Sequence, residues 1–470
     1  ACPLRLKSGQ GARIAWRPVV AEVPFAAKDK RVEAEKTWTE RGFKVRTFAV
    51  GSVFGMAGKV YDNRTYVITV VSDKDEDREH SVQLSSDLLK KYGVRISLYP
   101  DVMERPAGEL EIVDEAGNVL ETAKDVVSVT PAPDRNILVR KIEHGKGYSW
   151  HGFEDRRYKG EVIFTLDRSG KIVVINSLPF TDLLKGLVPS EIFSNAHPQA
   201  LRAQAVAARS EILAKIGHRH PGNPYLLCSE QHCQVYSGLA RDVPATTAAV
   251  LDTEGEVLVS GSRIVGAVYS SNCGGHTEDN DVAWDQEPDP ALRGKPDAPE
   301  GSELARKWNG LSDPGKLGDW LQMKPRTWCD MSSYGRSESF RWTRVVRSAD
   351  MDTLVNKKYK VGRVKDVKIM GRGASGRVTG VKIIGEKATA YVGREFNVRQ
   401  IFGGLKSGMF ELSIARSKNG LPAKFSFKGG GWGHGVGMCQ TGAIGMAESG
   451  KSYKDILRHY FSGAEILKVY

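Results

Sequence analysis

The sequence predicts an α+β protein: an antiparallel-β-rich, two-lobed core with a long alanine-rich helix lining a cleft, preceded by a smaller N-terminal α/β module. Three observations lead there. Strand-like alternation recurs in FKVRTFAVGSVFG (43–55), in residues 146–178 and again across 338–427. A single alanine-rich segment, PQALRAQAVAARSEILAKIG (198–217), opens on Pro198 and closes on Gly217, the punctuation of a long helix. Between the later strand runs, residues 285–335 are loop-rich, with Pro288, Pro290, Pro296, Pro299 and Pro314.

Taken in order, residues 1–40 are polar and weakly patterned and read as an extended arm. Residues 41–140 read as an accessory module, with glycan binding as a candidate role. Its strands are FKVRTFAVGSVFG, GKVY and TYVITVVS, followed by a charged turn, DKDEDREH (73–80). A helix, SVQLSSDLLKKYG, then ends at Gly93, and short strands follow around a turn at 115–118. Pro131 and Pro133 mark a boundary or an edge strand. Residues 141–470 form the main domain. It begins with a strand, an Arg168-Ser169-Gly170 turn and a second strand, then a helical stretch, TDLLKGLV, running into PSEIF. The 198–217 helix follows, then the loops and the later strands. The chain closes with a Gly-rich segment at 428–449 and a final helix in KSYKDILRHYF capped by Ser452 and Asp455.

Composition narrows the function classes. The 470 residues carry a net charge of +12, so the partner is expected to be anionic: nucleic acid, lipid or a cell-wall polymer. No run of ~18 apolar residues predicts a membrane-crossing helix. Six cysteines are too few for a disulfide scaffold. The chain opens on Ala1-Cys2, what remains when a lipobox is cut one residue before its cysteine; Cys2 is therefore a candidate lipid anchor.

Four features carry candidate chemistry. Glu191 sits in VPSEIF among Val188, Ile192 and Phe193, and a carboxylate in apolar surroundings has a raised pKa and can act as a general acid. Arg202 and Arg209, seven apart, share one helix face and are read either as surface arginines or as cleft residues holding a carboxylate. In GGGWGHGVGMCQTGAIGMA (429–447) the glycines permit positive φ and close approach to a ligand, Trp432 offers a face to a sugar, and His434 and Gln440 stand in a small, apolar setting. Cys228 and Cys233, with His232 between them and His218 and His220 upstream, have the residue types of a zinc site; a Cys228–Cys233 disulfide and free thiols remain the alternatives. A phosphate-loop pattern at Gly445–Ser452 lacks the strand such a loop requires and is read as accidental, which removes nucleotide as a partner. Basic residues interleaved with aromatics are missing too, which argues against nucleic acid.

Seven strings occur in order over roughly residues 145–470: INSLPFTDLLKGLVPSEIF, HPQALRAQAVAARSEIL, SEQHCQVYSG, AVYSSNCGGHTED, FRWTR, GRGASGRVTGVKIIG and GGGWGHGVGMCQTGAIGMA. Together they resemble the stage II sporulation protein D family and its amidase-enhancer relatives. The resemblance implies an exported lytic transglycosylase that cleaves peptidoglycan strands stripped of stem peptides and leaves 1,6-anhydro-N-acetylmuramic acid ends. It implies Glu191 as catalytic acid/base, with Arg202 and Arg209 as basic active-site residues. It implies substrate contacts at His232, Gln234 and Tyr236, at Ser270, Ser271, Asn272 and His276, and at Trp432, His434 and Gln440. Some relatives bind zinc near the HCQVY string, which would use Cys228, Cys233 and His220 here; the implied reaction needs no cofactor. The alternative is a glycan-binding enhancer of a cell-wall amidase that lacks turnover.

Overall fold

The computed structural model describes residues 3–94, 97–145, 151–284, 286–335 and 337–470. The fold is mixed α+β, and its sheets are antiparallel apart from the short parallel pairing of Tyr269–Ser270 with Met438–Cys439. Cys2, and with it the expected lipid anchor, lies outside the described residues.

The N-terminal residues are not an extended arm. Arg13–Pro24 is a twelve-residue strand inside a four-stranded sheet, between Thr65–Val71 and Leu98–Glu104, with Lys44–Val50 at the edge. Lys28–Glu40 is a helix. The polar reading failed because this strand buries residues on both faces: Ile14, Ala15, Val19, Val20 and Val23 are all buried, and so is Arg17, which is paired with Asp101 and Asp75. Asp75 is thus a buried partner inside the stretch read as a solvated turn. The helix Arg78–Tyr92 ends at Gly93, whose φ of 74° is left-handed. Trp38, Ile68, Val70 and Leu88 close the core between sheet and helices.

The module is tied to the main domain. The hairpin Val53–Met56/Lys59–Asp62 delivers Tyr61 into an apolar cluster with Leu213, Val257 and Val259. Asn63 is buried and exchanges hydrogen bonds with Ile264, donating to its carbonyl at 2.7 Å and accepting from its N–H at 3.0 Å.

The main domain has two apolar cores. One surrounds the helix Pro198–Lys215, whose residues 200–213 are almost all buried. Small Ala203, Ala205, Ala207 and Ala208 let the helices Phe180–Glu191, Pro244–Asp252 and Gln440–Glu448 pack against it. The other lies between the strands Arg341–Arg347, Pro422–Gly430 and Phe410–Arg416 and the sheet of Val364–Arg372, Val378–Gly385 and Thr389–Gly393, with Phe402, Phe410, Phe425 and Phe427 at its centre. Two helices within this strand-rich region, Ser348–Asn356 and Glu395–Ile401, complete it. The closing helix Tyr453–Tyr460 carries the expected Ser452/Asp455 capping box, and the residues before Gly450 are helical, so the phosphate-loop pattern is indeed a helix end.

Candidate active site

Glu191 is the last residue of the helix Phe180–Glu191. Leu184, Leu187 and Val188 hold the inner face of that helix in the core, and Ile192 turns the chain to extended geometry. The Glu191 side chain is therefore carried out of the helix end into a partly buried position. Its Oε1 accepts the Val235 N–H at 2.5 Å, and among the described residues Oε2 accepts no hydrogen bond. Burial pushes its pKa up to about 7, against the opposing pull of the Val235 N–H and the Lys215 charge.

Neutral amides and a phenol surround it. Gln440 donates to the Glu191 carbonyl at 2.9 Å and to Gln204 Oε1 at 3.1 Å. Gln234 donates to the Ala208 carbonyl at 3.1 Å and accepts from Tyr269 Oη at 2.6 Å. The nearby Glu211 is ion-paired with Lys215. Gln204, Ala208, Glu211 and Lys215 recur at spacings of four, three and four, so one helix face supplies them all.

That spacing corrects the arginine expectation. At 3.6 residues per turn, position 202 lies about 160° from position 204, on the far side of the helix. Arg202 pairs with Asp252 at 2.6 Å, and fully buried Arg209 donates to the carbonyls of Glu256 and Val250 at 3.0 and 3.2 Å. Both brace the helix from behind, and neither contacts Glu191.

The Gly-rich segment runs beside this group, as a wall that ends at Gln440. Gly431, Gly433, Gly435 and Gly437 all have positive φ, and a Cβ at Gly435 or Gly437 would meet Arg377 Cζ at 2.3 Å or the Val268 carbonyl at 2.2 Å. The close approach that glycine permits is thus to the protein's own neighbouring segments. His434 accepts the Val436 N–H at Nδ1 (3.0 Å) and packs on Trp284; burial lowers its pKa to about 3, so it is neutral. Trp432 is 44% exposed, with Lys406 over its ring.

Other expected contacts divide. Ser271 is exposed. Ser270 is buried against Gly433, its hydroxyl without a partner among the described residues. Tyr236 packs on Gly186 and donates to Asn176 at 2.7 Å. Asn272 and His276 are fully buried and cannot meet a substrate: Asn272 pairs its backbone with Trp432, and His276 bonds Thr277 O and the Gly310 N–H.

His232 belongs to a different cluster. One atom each from His220, Cys228, His232 and Cys233 lies within 4.8 Å of the others. The measured separations are 3.3 Å (His220–His232), 3.3 Å (His220–Cys233), 3.7 Å (His232–Cys233) and 3.9 Å (His232–Cys228). Tetrahedral zinc, with bonds of about 2.0 Å to nitrogen and 2.3 Å to sulfur, sets ligand atoms about 3.3–3.8 Å apart, so this donor set fits the metal. Both cysteines are free thiols in this arrangement.

Sequence reasoning missed Gln204 and Tyr269, although Gln204 stands out as an amide in the middle of an alanine-rich helix. It missed Glu278 as well, two residues after His276. A hollow of about 540 Å³ lies in the N-terminal region, lined by Arg13, Trp16, Arg78 and Arg168.

Comparison with known proteins now bears on this site. The family model described as stage II sporulation protein matches residues 168–259, and one described as a domain of unknown function (DUF8618) matches residues 278–437. The chain is 30% identical over 300 residues to the amidase enhancer of Bacillus subtilis, spanning 60% of this chain but only 40% of that protein. It is 26% identical over 309 residues to stage II sporulation protein D of Bacillus amyloliquefaciens, spanning 62% of this chain and 75% of that one. It is 26% identical over 330 residues to an uncharacterized protein of Brachyspira hyodysenteriae, spanning 69% and 76% respectively.

Proposed function

This chain is a SpoIID-type protein, and from that premise we propose that it acts outside the cytoplasm on bacterial cell-wall glycan, as a lytic transglycosylase with Glu191 as acid and base. The observation that carries the reading is Glu191 itself: a desolvated carboxyl with its pKa lifted to about 7, one oxygen held by Val235 and the other open.

A glycosidase that uses water normally needs two carboxylates at a set separation. A transglycosylase needs one, because the nucleophile is within the substrate. Glu191 gives its proton to the glycosidic oxygen as the C1–O bond breaks. The muramic 6-hydroxyl oxygen bonds to C1, and its proton returns to the Glu191 carboxylate, so acid and base alternate with no net change in the enzyme. Gln234, Gln440 and Tyr269 fix the loop and wall on either side, and the amide groups of the sugars suit such neutral donors and acceptors. Trp432 supplies an exposed ring for a sugar face. The basic balance of the chain suits an anionic wall.

Zinc at His220, Cys228, His232 and Cys233 would close the loop that presents Gln234 and Val235 to Glu191. Its contribution there would be to folding and position; the proton transfers use Glu191 alone.

Glu191→Gln, assayed for anhydro-muropeptide release from peptide-stripped sacculi, tests the reading. Release is expected to fall by about 10²–10⁴-fold. Unchanged release sinks the assignment, and a wild-type protein that binds stripped glycan without releasing product favours a glycan-binding amidase enhancer instead.

A further inference from the structure

Behind the Gly-rich wall lies a second group of metal-type ligands. Cys273, Asp297, Cys329 and Cys439 come from four segments distant in sequence, and one donor atom of each lies within 4.8 Å of the others. All four residues are essentially inaccessible. We propose that these residues form a buried structural zinc site of the Cys3Asp type, distinct from the His220/Cys228/His232/Cys233 cluster.

The distances suit it. Cys273 Sγ is 3.7 Å from Cys329 Sγ and 3.3 Å from Asp297 Oδ2. For tetrahedral zinc the corresponding edges are about 3.8 Å between two sulfurs and about 3.6 Å between sulfur and oxygen.

The carboxylate is oriented as a ligand. Asp297 turns Oδ1 away from the sulfurs, to Tyr460 Oη at 2.7 Å and His459 Nε2 at 3.3 Å, and Oδ2 towards them. Oriented partners on the outer oxygen are the usual support of a metal-bound carboxylate. The Cys439 sulfur receives two backbone N–H groups, from Cys273 at 3.2 Å and Gly442 at 3.3 Å. Such donors stabilise thiolate.

A metal also answers the arithmetic of the site. A carboxylate sealed from water is costly unless its charge is met. Without a metal, Oδ2 is met only by the Cys329 N–H at 3.2 Å and the Cys273 thiol, a weak donor. Three thiolates and one carboxylate around a divalent ion leave a net charge of −2. His459 lies against Asp297, and Arg377 and Arg341 bond the carbonyls of Cys273 and Gly274 at 3.1 Å each. A disulfide would pair two cysteines and strand the third beside the carboxylate. Soft sulfur ligands in a closed shell favour zinc over magnesium or calcium.

The consequence reaches the cleft. Cys439 precedes Gln440, which bonds the Glu191 carbonyl, and Cys273 follows Asn272, which pairs with Trp432. Cys329 and Asp297 anchor the loop-rich stretch to the same point. The site would thus tie together the segments carrying Cys273, Asp297, Cys329 and Cys439 behind the Gly-rich wall.

The test is independent of glycan cleavage and of the first cluster. The full chain with Cys228→Ser and Cys233→Ser, purified without a metal-affinity step, is expected to retain one zinc per molecule. After cobalt exchange its thiolate-to-cobalt absorption should correspond to three thiolates, and adding Cys329→Ser should remove it. A folded double variant without zinc overturns the proposal. So does a non-reducing peptide map of the wild-type chain that joins Cys273 to Cys329; this second measurement needs no variant to fold.

Discussion

Glu191 and Glu278 make an instructive pair. Burial lifts both to a pKa of about 7, yet the protein uses their oxygens differently. Glu278 is fully buried, and both oxygens are engaged: Oε1 accepts the Asp279 N–H at 2.9 Å, while Oε2 accepts Ser375 Oγ at 2.6 Å and the Ser375 N–H at 3.2 Å. Glu191 is partly exposed and commits one oxygen to one N–H. A raised pKa alone therefore does not mark an acid catalyst; an unoccupied oxygen that a ligand can reach is a further requirement, and of the two only Glu191 meets it. Glu278 pins the segment after Cys273 to the Gly373–Arg377 turn, where a Cβ on Gly373 would meet its carboxylate at 2.6 Å.

The largest expected effect separates the two. Glu191→Gln should lower glycan cleavage by about 10²–10⁴-fold, the range of a positioned acid/base. Folding should survive, because the amide oxygen can still accept the Val235 N–H. If Glu191→Gln cleaves at the wild-type rate, the distinction between the carboxylates collapses. The same residue sets the pH profile. With a pKa of about 7 and a starting state that must be protonated, kcat/KM should fall as pH rises above about 7. A profile flat to pH 9 would break the assignment.

Stability sharpens the comparison from the other side. Both carboxyls bind protons more tightly folded than unfolded, since their ordinary value is 4.5. Stability should then fall as pH rises from about 4.5 to about 7, by on the order of 1–3 kcal/mol for each group. Urea unfolding at pH 5 and pH 7.5 reads this directly, and Glu191→Gln should flatten part of the fall. Glu278→Gln should instead lose about 1–3 kcal/mol at either pH, because an amide NH2 must face one of three donors. At a temperature where it is folded, cleavage should be near wild type.

What was legible in the sequence follows the same division between local and tertiary causes. The helices ending at Gly93 and opening at Pro198 were readable because caps are local. The strand Arg13–Pro24 was not, because its alternation is masked by Arg17, a buried charge satisfied only by Asp75 and Asp101 far along the chain. The desolvation of Glu191 was readable from its apolar neighbours in sequence. Gln204 was not, since its role depends on which face of a helix, buried nearly all round, meets Gln440. His276 and Asn272 were not readable as interior residues, because their burial depends on the loops and the Gly-rich segment packed around them.

The smallest effect concerns the two arginines that helix phase moved away from the cleft. Arg209 is fully buried with its guanidinium on two carbonyls, whereas Arg202 forms a partly exposed pair with Asp252. Truncating Arg209 to Ala strands those carbonyls in the core and should lower stability by about 2–4 kcal/mol, with cleavage preserved in the folded fraction. Truncating Arg202 to Ala should change stability by less than about 1 kcal/mol, the ordinary worth of an exposed pair, and leave kcat and KM within about twofold. If Arg202→Ala instead abolishes cleavage while the fold persists, the substrate must reach the far face of the helix. The cleft would then extend beyond the groups gathered around Glu191.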